Sequence, residues 1–165
     1  MRWMFSSCTT LSRLPRLDLR AVETMEGMFS GCYGLITVPL LNTEAVQTMT
    51  YTFSGCYGLM NLPALPVGNV SDFNGVFSSC VGLAWAPLQG IASTISFWGC
   101  ALSKAAILTI FQNLAYVSNG QSIDVGSNSG TNELSTADLA VATGKNRLGL
   151  NHALAQSELH GLFDA

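Results

Sequence analysis

The sequence predicts an α/β repeat fold: a short right-handed solenoid of about four coils, built from 24-residue units and closed by a C-terminal α/β cap. Two observations lead to this prediction. Side-chain types recur every 24 residues through the first hundred positions without an insertion, and this register is lost after residue 99. The boundaries that follow are a solenoid over residues 1–99, a cap over residues 100–147 and a tail over residues 148–165.

Six positions of the 24-residue register keep their chemical type in all four copies. They are Phe5, Phe29, Phe53 and Phe77; Cys8, Cys32, Cys56 and Cys80; Leu11, Leu35, Leu59 and Leu83; Pro15, Pro39, Pro63 and Pro87; Val22, Val46, Val70 and Thr94; Met25, Met49, Phe73 and Phe97. Because one such unit cannot bury its apolar side alone, stacked units are expected to share a continuous core with equivalent residues in ladders. Parallel crossovers are almost always right-handed, which sets the expected hand.

Each unit contains two predicted local elements. Residues 11–15 (Leu-Ser-Arg-Leu-Pro) predict the short strand of a coil, which ends at the proline because proline has no N–H for the ladder. Residues 22–29 predict one or two helical turns, since Val22, Met25 and Phe29 lie at the i, i+3, i+7 spacing of an inward helical face. Parallel strands should therefore line one side of the solenoid and short helices the other.

The cap begins with a predicted helix. Ser103 is placed to cap a helix that starts at Lys104. Its apolar face comprises Ile107, Ile110, Phe111 and Leu114.

The rest of the cap alternates turns and short elements. Asn119 and Gly120 predict a turn, and residues 121–125 predict a strand that buries Ile123 and Val125. A polar loop follows over residues 126–130. Ser135 and Asp138 then form a variant of the capping box that opens a second helix, ending near Thr143. In the tail, Leu150, Leu154 and Leu162 predict a short helix that docks on its own chain or on a neighbour.

Two stretches of the chain resemble known proteins. Residues 28–39 (Met-Phe-Ser-Gly-Cys-Tyr-Gly-Leu-Ile-Thr-Val-Pro) resemble the leucine-rich repeat of bacterial surface antigens, the BspA-like class, and this resemblance covers residues 3 to about 99. The same repeat is common in tail fibres and other virion proteins of tailed bacteriophages. Residues 95–108, 121–125 and 140–145 are similar to the closing segment of repeat-bearing phage structural proteins, although this chain lacks the Lys-Gly-Trp that often follows there. The resemblance implies a leucine-rich-repeat fold and a structural role in a virion.

Charge and hydropathy exclude two classes of partner. Only 10% of residues are charged, the net charge is −3, and residues 21–103 contain no Lys or Arg. Nucleic acid is excluded because its phosphates require clustered bases. Insertion into a membrane is excluded because no run of roughly 18 apolar residues occurs. The bases Arg2, Arg13, Arg16 and Arg20 either bind an acidic partner or form a solvated coil edge.

No catalytic residue, metal site or cofactor is predicted. His152 and His160 lie eight residues apart in the tail, and cysteines 24 residues apart match no zinc-ligand spacing. The four repeat cysteines are predicted to form a buried ladder of free thiols, with disulfides between adjacent coils as the alternative. Cys100 lies outside their register, where Lys104 takes the place of a fifth cysteine, and is expected to be buried in the cap.

The predicted ligand-binding residues are those that vary while the core positions do not. Six are singled out at two register positions: Arg13, Thr37, Asn61 and Trp85 at one, and Tyr33 and Tyr57 at the other. Pointing outward, the aromatic side chains would stack on sugar rings, and the threonine and asparagine would donate and accept hydrogen bonds. The alternative is that the tyrosines only cover a turn.

The function expected from these observations is a non-enzymatic virion structural protein, part of a phage tail fibre or baseplate, located in the virion tail. It would contact host-surface glycans or other virion chains, including copies of itself. Residue 1 falls within a repeat, so another chain or an upstream segment is expected to cover that end. The alternative is a bacterial cell-surface adhesin or protein-interaction module. An adhesin should carry a signal peptide or an anchor, and residues 1–5 (Met-Arg-Trp-Met-Phe) lack the apolar stretch of a signal peptide.

Overall fold

The polypeptide forms a small α/β structure with two α-helices and a two-stranded parallel sheet. The computed structural model describes residues 1–118 and 120–145. In chain order the elements are β1 (Ile95–Ser96), α1 (Lys104–Asn113), β2 (Ile123–Asp124), a 3₁₀ helix (Thr131–Glu133) and α2 (Thr136–Thr143). Strands β1 and β2 pair in parallel. Among the described residues, no helix has the length and apolar character needed to cross a membrane.

Residues 24 apart in the sequence are neighbours in space over the first ninety residues. Two rows of isolated parallel bridges join equivalent positions, one through Arg13, Thr37, Asn61 and Trp85 and the other through Thr24, Thr48 and Asp72. The strands predicted at residues 11–15 and their equivalents are therefore reduced to one bridged residue each. We refer to residues 1–24, 25–48, 49–72 and 73–96 as repeats 1 to 4. The assignment of this stack to a leucine-rich-repeat solenoid, and its hand, stay predictions.

A column of phenylalanine rings forms the centre of the core. Successive rings stack nearly parallel with centroids 5.1–6.0 Å apart, in the order Phe5, Phe29, Phe53, Phe77 and Phe97. All but the first of these side chains are buried. Each stacked pair adds about 0.5–1.5 kcal/mol to the stabilisation from burial alone. Val22 and Met25 are also buried, so the predicted inward positions are confirmed.

The helical turns predicted at residues 22–29 are wrong. The segment forms turns instead, and its N–H groups alternate between two kinds of partner. Met28 donates within its own repeat, to the carbonyl of Met25 at 3.0 Å, whereas Gly27 and Phe29 donate to carbonyls of repeat 3 at 2.8 and 2.9 Å. An α-helix would direct all these groups to the residue four positions back. We call residues 25–31 and their equivalents 49–55 and 73–79 the turn ladder.

Backbone conformation explains why this segment cannot be helical. Two positions in each repeat have positive φ, and both recur with the 24-residue period: Trp3, Gly27, Tyr51 and Gly75 at one, and Ser7, Gly31, Gly55 and Ser79 at the other. A right-handed helix requires negative φ at every residue. The i, i+3, i+7 pattern is produced here by successive turns that each return one side chain to the core.

The first cap helix is confirmed. Helix α1 begins at Lys104, and the Ser103 hydroxyl accepts a hydrogen bond from the N–H of Ala106 at 3.3 Å. Its predicted apolar residues are all buried, namely Ile107, Ile110, Phe111 and Leu114.

The second cap helix is confirmed as well. The Ser135 side chain accepts from the Asp138 N–H and the Asp138 carboxylate accepts from the Ser135 N–H, which completes the capping box of α2. Lys104 lies 2.8 Å from Asp138 and joins the two helices. These contacts with Lys104 and Ser135 lower the pKa of Asp138 to about 2.

Ile123 and Val125 are buried, although β2 is only two residues long. Asn119 of the predicted turn and the predicted tail helix lie outside the described residues.

Candidate recognition surface

All six predicted binding residues are exposed. Arg13, Thr37, Asn61 and Trp85 form the first bridged row, and Tyr33 and Tyr57 occupy the other predicted register position. The exposed fractions of the aromatic side chains are 38% for Trp85, 50% for Tyr33 and 49% for Tyr57. We call these six residues the outer face. Their exposure is compatible with binding but does not test it.

The two tyrosines of the outer face form a stacked pair. Their ring centroids are 5.1 Å apart with 18° between the ring planes. The repeats approach closely here, because a Cβ atom on Gly58 would lie 2.8 Å from the carbonyl oxygen of Tyr33. Stacking occupies one face of each ring, and the exposed remainder is available to a ligand.

Apolar side chains that the sequence analysis did not single out adjoin the outer face. Ile36 and Met60 are 49% and 52% exposed and directly precede Thr37 and Asn61. Their backbones are joined by a 3.0 Å hydrogen bond from the Met60 N–H to the Ile36 carbonyl. The signal was present in the sequence as large apolar residues at a register position held by Ser12 and Ala84 in the other repeats. Neighbouring exposed apolar side chains are typical of protein or ligand contact surfaces.

Two of the four N-terminal arginines already have acidic partners within the chain. Arg2 lies 3.1 Å from Glu26, and Arg20 lies 2.6 Å from Asp18. The hydrogen bonds from Arg20 lower the pKa of Asp18 to about 2. These contacts favour a solvated coil edge for Arg2 and Arg20.

The repeat cysteines are free thiols, three of them buried. Cys8 is exposed, so its predicted burial is wrong, because repeat 1 covers it on one side only. Cys32, Cys56 and Cys80 are buried and donate hydrogen bonds to the carbonyls of phenylalanines in the preceding repeat at 3.0–3.1 Å. Burial raises the pKa of the Cys56 thiol to about 12, which leaves almost no nucleophilic thiolate near neutral pH.

Cys100 belongs to this thiol column despite its sequence register. Phe97 stacks on Phe77, and Cys100 follows Phe97 at the same three-residue interval at which Cys80 follows Phe77. Its burial in this position is confirmed. The interval between the phenylalanines is 20 residues instead of 24, so the unit between repeat 4 and the cap is four residues short. The sequence interpretation that placed Cys100 outside the ladder is wrong for this reason.

Within residues 1–118 and 120–145, no three His, Cys, Asp or Glu side chains are grouped in a way that would hold a metal ion. His152 and His160 lie outside those residues. Comparison of the chain with protein families, with curated proteins and with solved structures found no match in any of the three.

Proposed function

We propose that this chain is a non-enzymatic recognition module of a virion, part of a phage tail fibre or baseplate. In this proposal the stacked repeats form a short right-handed leucine-rich-repeat solenoid that displays the outer face. The observation that carries it is the row of exposed aromatic and uncharged polar side chains at positions the core does not use. The resemblance of residues 28–39 and of the closing segment to phage structural proteins supports the choice of a virion.

An uncharged glycan is the ligand that suits this surface. Aromatic rings pack against the C–H faces of sugar rings, and Thr37 and Asn61 offer hydrogen-bonding groups for hydroxyls. Residues 21–103 contain no Lys or Arg to pair with an acidic sugar.

A neighbouring virion subunit is the second candidate partner, favoured by the exposed Ile36 and Met60. A bacterial surface adhesin or interaction module stays the alternative to the virion. Genes for tail and baseplate proteins beside this one would support the virion, whereas genes for cell-surface anchoring would support the adhesin.

Replacement of Trp85 tests the outer face. We expect Trp85→Ala to leave the free energy of unfolding within about 1 kcal/mol of the parent, as for a surface site. Adsorption to host cells, or binding on a glycan array, should fall, because recognition energy concentrates in large aromatic residues. Tyr116→Ala is the matched control, since Tyr116 is an exposed aromatic residue in the cap.

Two results would count against the glycan. A steep fall in melting temperature with unchanged binding would make Trp85 a packing residue. Unchanged stability and binding, together with co-purification of the chain in virions, would leave the subunit contact as its role.

A further inference from the structure

The turn ladder loses its hydrogen-bond acceptors at one place, between repeat 4 and β1. In repeats 2 and 3, alternate N–H groups donate to carbonyls of the following repeat at 2.7–3.0 Å. The donors are Met25, Gly27, Phe29 and Gly31 in repeat 2, and Met49, Tyr51, Phe53 and Gly55 in repeat 3. The equivalent backbone groups in repeat 4 belong to Phe73, Gly75, Phe77 and Ser79. None of these four donates to an acceptor among the described residues.

The short interval after repeat 4 accounts for this gap. With four residues missing between Phe77 and Phe97, the next turn lacks the residues that would continue the ladder. The β1 segment directs its own N–H groups onward to the cap instead, from Phe97 to Asp124 at 2.7 Å and from Gly99 to Gly126 at 3.0 Å. The rings of Phe77 and Phe97 still stack, so the core is continuous while the backbone ladder outside it is interrupted.

A cleft of about 510 Å³ lies at this interruption. Three of the four residues with unpaired N–H groups, Gly75, Phe77 and Ser79, line it. The side chains at its surface are mostly aromatic or uncharged and polar, namely Tyr51, Asn74, Ser78, Ser79, Ser96 and Trp98. Its volume falls within the range of about 300–1,000 Å³ typical of small-molecule sites.

Two aromatic side chains border the cleft. Trp98 is 58% exposed and Tyr51 is 38% exposed. The Tyr51 ring lies across Gly75, since a Cβ atom on that glycine would fall 2.3 Å from the tyrosine Cε1. The cleft therefore offers aromatic surface beside a row of backbone donors.

Backbone strain is concentrated in the same cleft. Tyr51 and Ser79 have φ of 54° and 61°, a left-handed conformation that is costly for residues other than glycine. Repeat 2 has glycine at both equivalent positions, Gly27 and Gly31. Strained residues of this kind cluster at ligand sites, where the side chain is held in place for a purpose other than stability.

The polar groups of the cleft identify the charge of its ligand. Among the described residues, the side chains of Asn74, Ser78 and Ser79 have no hydrogen-bond partner. The nearest charged groups are acidic: Asp72 accepts from the Asn74 N–H at 2.8 Å, and Asp124 accepts from the Ser96 hydroxyl at 3.2 Å. With no base in residues 21–103, an anionic ligand would meet only repulsion here.

We propose that this cleft is a second binding site, for an uncharged pyranose. The C–H faces of the sugar pack on Trp98 and Tyr51, and its hydroxyl or acetamido carbonyl oxygens accept from the N–H groups of Gly75, Phe77 and Ser79. The cleft shares no residue with the outer face. Either site can therefore bind or fail without the other.

Amide hydrogen exchange measured by NMR tests whether the donor row is open. In the free protein, the amides of Gly75, Phe77 and Ser79 should exchange roughly tenfold or more faster than those of Tyr51, Phe53 and Gly55, because only the latter are hydrogen-bonded. Equal protection in the two repeats would mean that the ladder is closed and would overturn the site.

Ligand binding is tested on the full chain with uncharged trisaccharides of glucose, galactose, rhamnose and N-acetylglucosamine, followed by tryptophan fluorescence. At least one should bind and slow exchange of the three repeat 4 amides, while dextran sulfate should not. Binding of none of the four would overturn the proposal. Protection of these amides by the hexapeptide Thr-Val-Thr-Val-Thr-Val, but by no sugar, would also overturn it and assign the row to an added peptide strand.

Variants separate this cleft from the outer face. Trp98→Ala should weaken the bound trisaccharide roughly tenfold or more, with an unchanged melting temperature because the side chain is mostly exposed. Tyr116→Ala, the matched control, should leave affinity unchanged. Loss of binding in Trp85→Ala without loss in Trp98→Ala would place the sugar on the outer face. That result would overturn the cleft proposal and leave the proposed function standing.

Discussion

Buried thiols in this chain differ in whether they have a hydrogen-bond acceptor. The Cys56 thiol donates to the Phe29 carbonyl at 3.1 Å, whereas Cys100 is equally buried and has no such acceptor among the described residues. From the sequence alone, a serine in place of Cys56 would be expected to bury an unpaired hydroxyl. The carbonyl of the preceding repeat removes that expectation, because a serine hydroxyl can donate to the same oxygen.

Serine substitution should therefore affect the two sites unequally. We expect Cys56→Ser to lower the free energy of unfolding by about 1 kcal/mol or less, and Cys100→Ser to lower it by about 1–3 kcal/mol, the cost of an unpaired buried hydroxyl. Urea unfolding of the two variants measures the difference. Cys8→Ser is the control and should have no effect, since Cys8 is exposed. Equal losses at positions 56 and 100 would show that the carbonyl does not accept from the serine.

Turns, rather than helices, are the recurring element opposite the first bridged row. Their geometry depends on a left-handed residue two positions after each stacked phenylalanine, which is Gly31, Gly55 and then Ser79. A Cβ atom on Gly55 would have only ordinary contacts, at 3.6 Å or more. The energetic difference between glycine and serine at this position therefore comes from the backbone conformation and not from space.

Reciprocal substitutions test this account of the turns. Ser79→Gly should raise the free energy of unfolding by about 0.5–1 kcal/mol, because relief of left-handed strain exceeds the extra entropy of glycine in the unfolded chain. Gly55→Ser should lower it by a similar amount. Thermal unfolding of the two variants gives the comparison. A destabilised Ser79→Gly variant would mean that the serine hydroxyl makes a contact that outweighs the strain.

The whole molecule should lose stability in alkali because of its thiol column. Burial raises the pKa of Cys56 and Cys100 to about 12, and that of Cys80 further. In the unfolded chain thiols titrate near 8.5, so above that pH the unfolded state binds fewer protons than the native state. The contribution of these thiols is therefore complete below about pH 8.5 and is lost progressively as pH rises towards 12.

We expect the free energy of unfolding to be level between pH 7 and 8 and to fall continuously above pH 9. The double variant Cys56→Ala/Cys80→Ala should show a shallower fall than the parent, whereas Cys8→Ala should follow the parent. At pH 8, Ellman's reagent should label Cys8 quickly and the buried cysteines only after unfolding. Rapid labelling of all five thiols in the native protein would contradict the buried column.

Much of the chain's organisation was predictable because it depends on residues close together in the sequence. The cap helices follow from Ser103 and Ser135, whose hydroxyls can only accept from N–H groups within the next few residues. The buried ring column follows from the 24-residue recurrence of phenylalanine, since equivalent residues of stacked repeats must meet. Exposure of Trp85 followed from the variability of its register position.

The turn ladder and the cleft were beyond sequence reasoning because both depend on backbone pairing between distant segments. The side-chain period around Val22, Met25 and Phe29 is the same for a helix and for stacked turns, and only the acceptors of their N–H groups distinguish the two. Likewise, the sequence shows that Phe97 follows Phe77 after 20 residues. Only the folded chain shows that the rings still stack while the N–H groups of Gly75, Phe77 and Ser79 are left without acceptors, because core packing and backbone pairing respond differently to four missing residues.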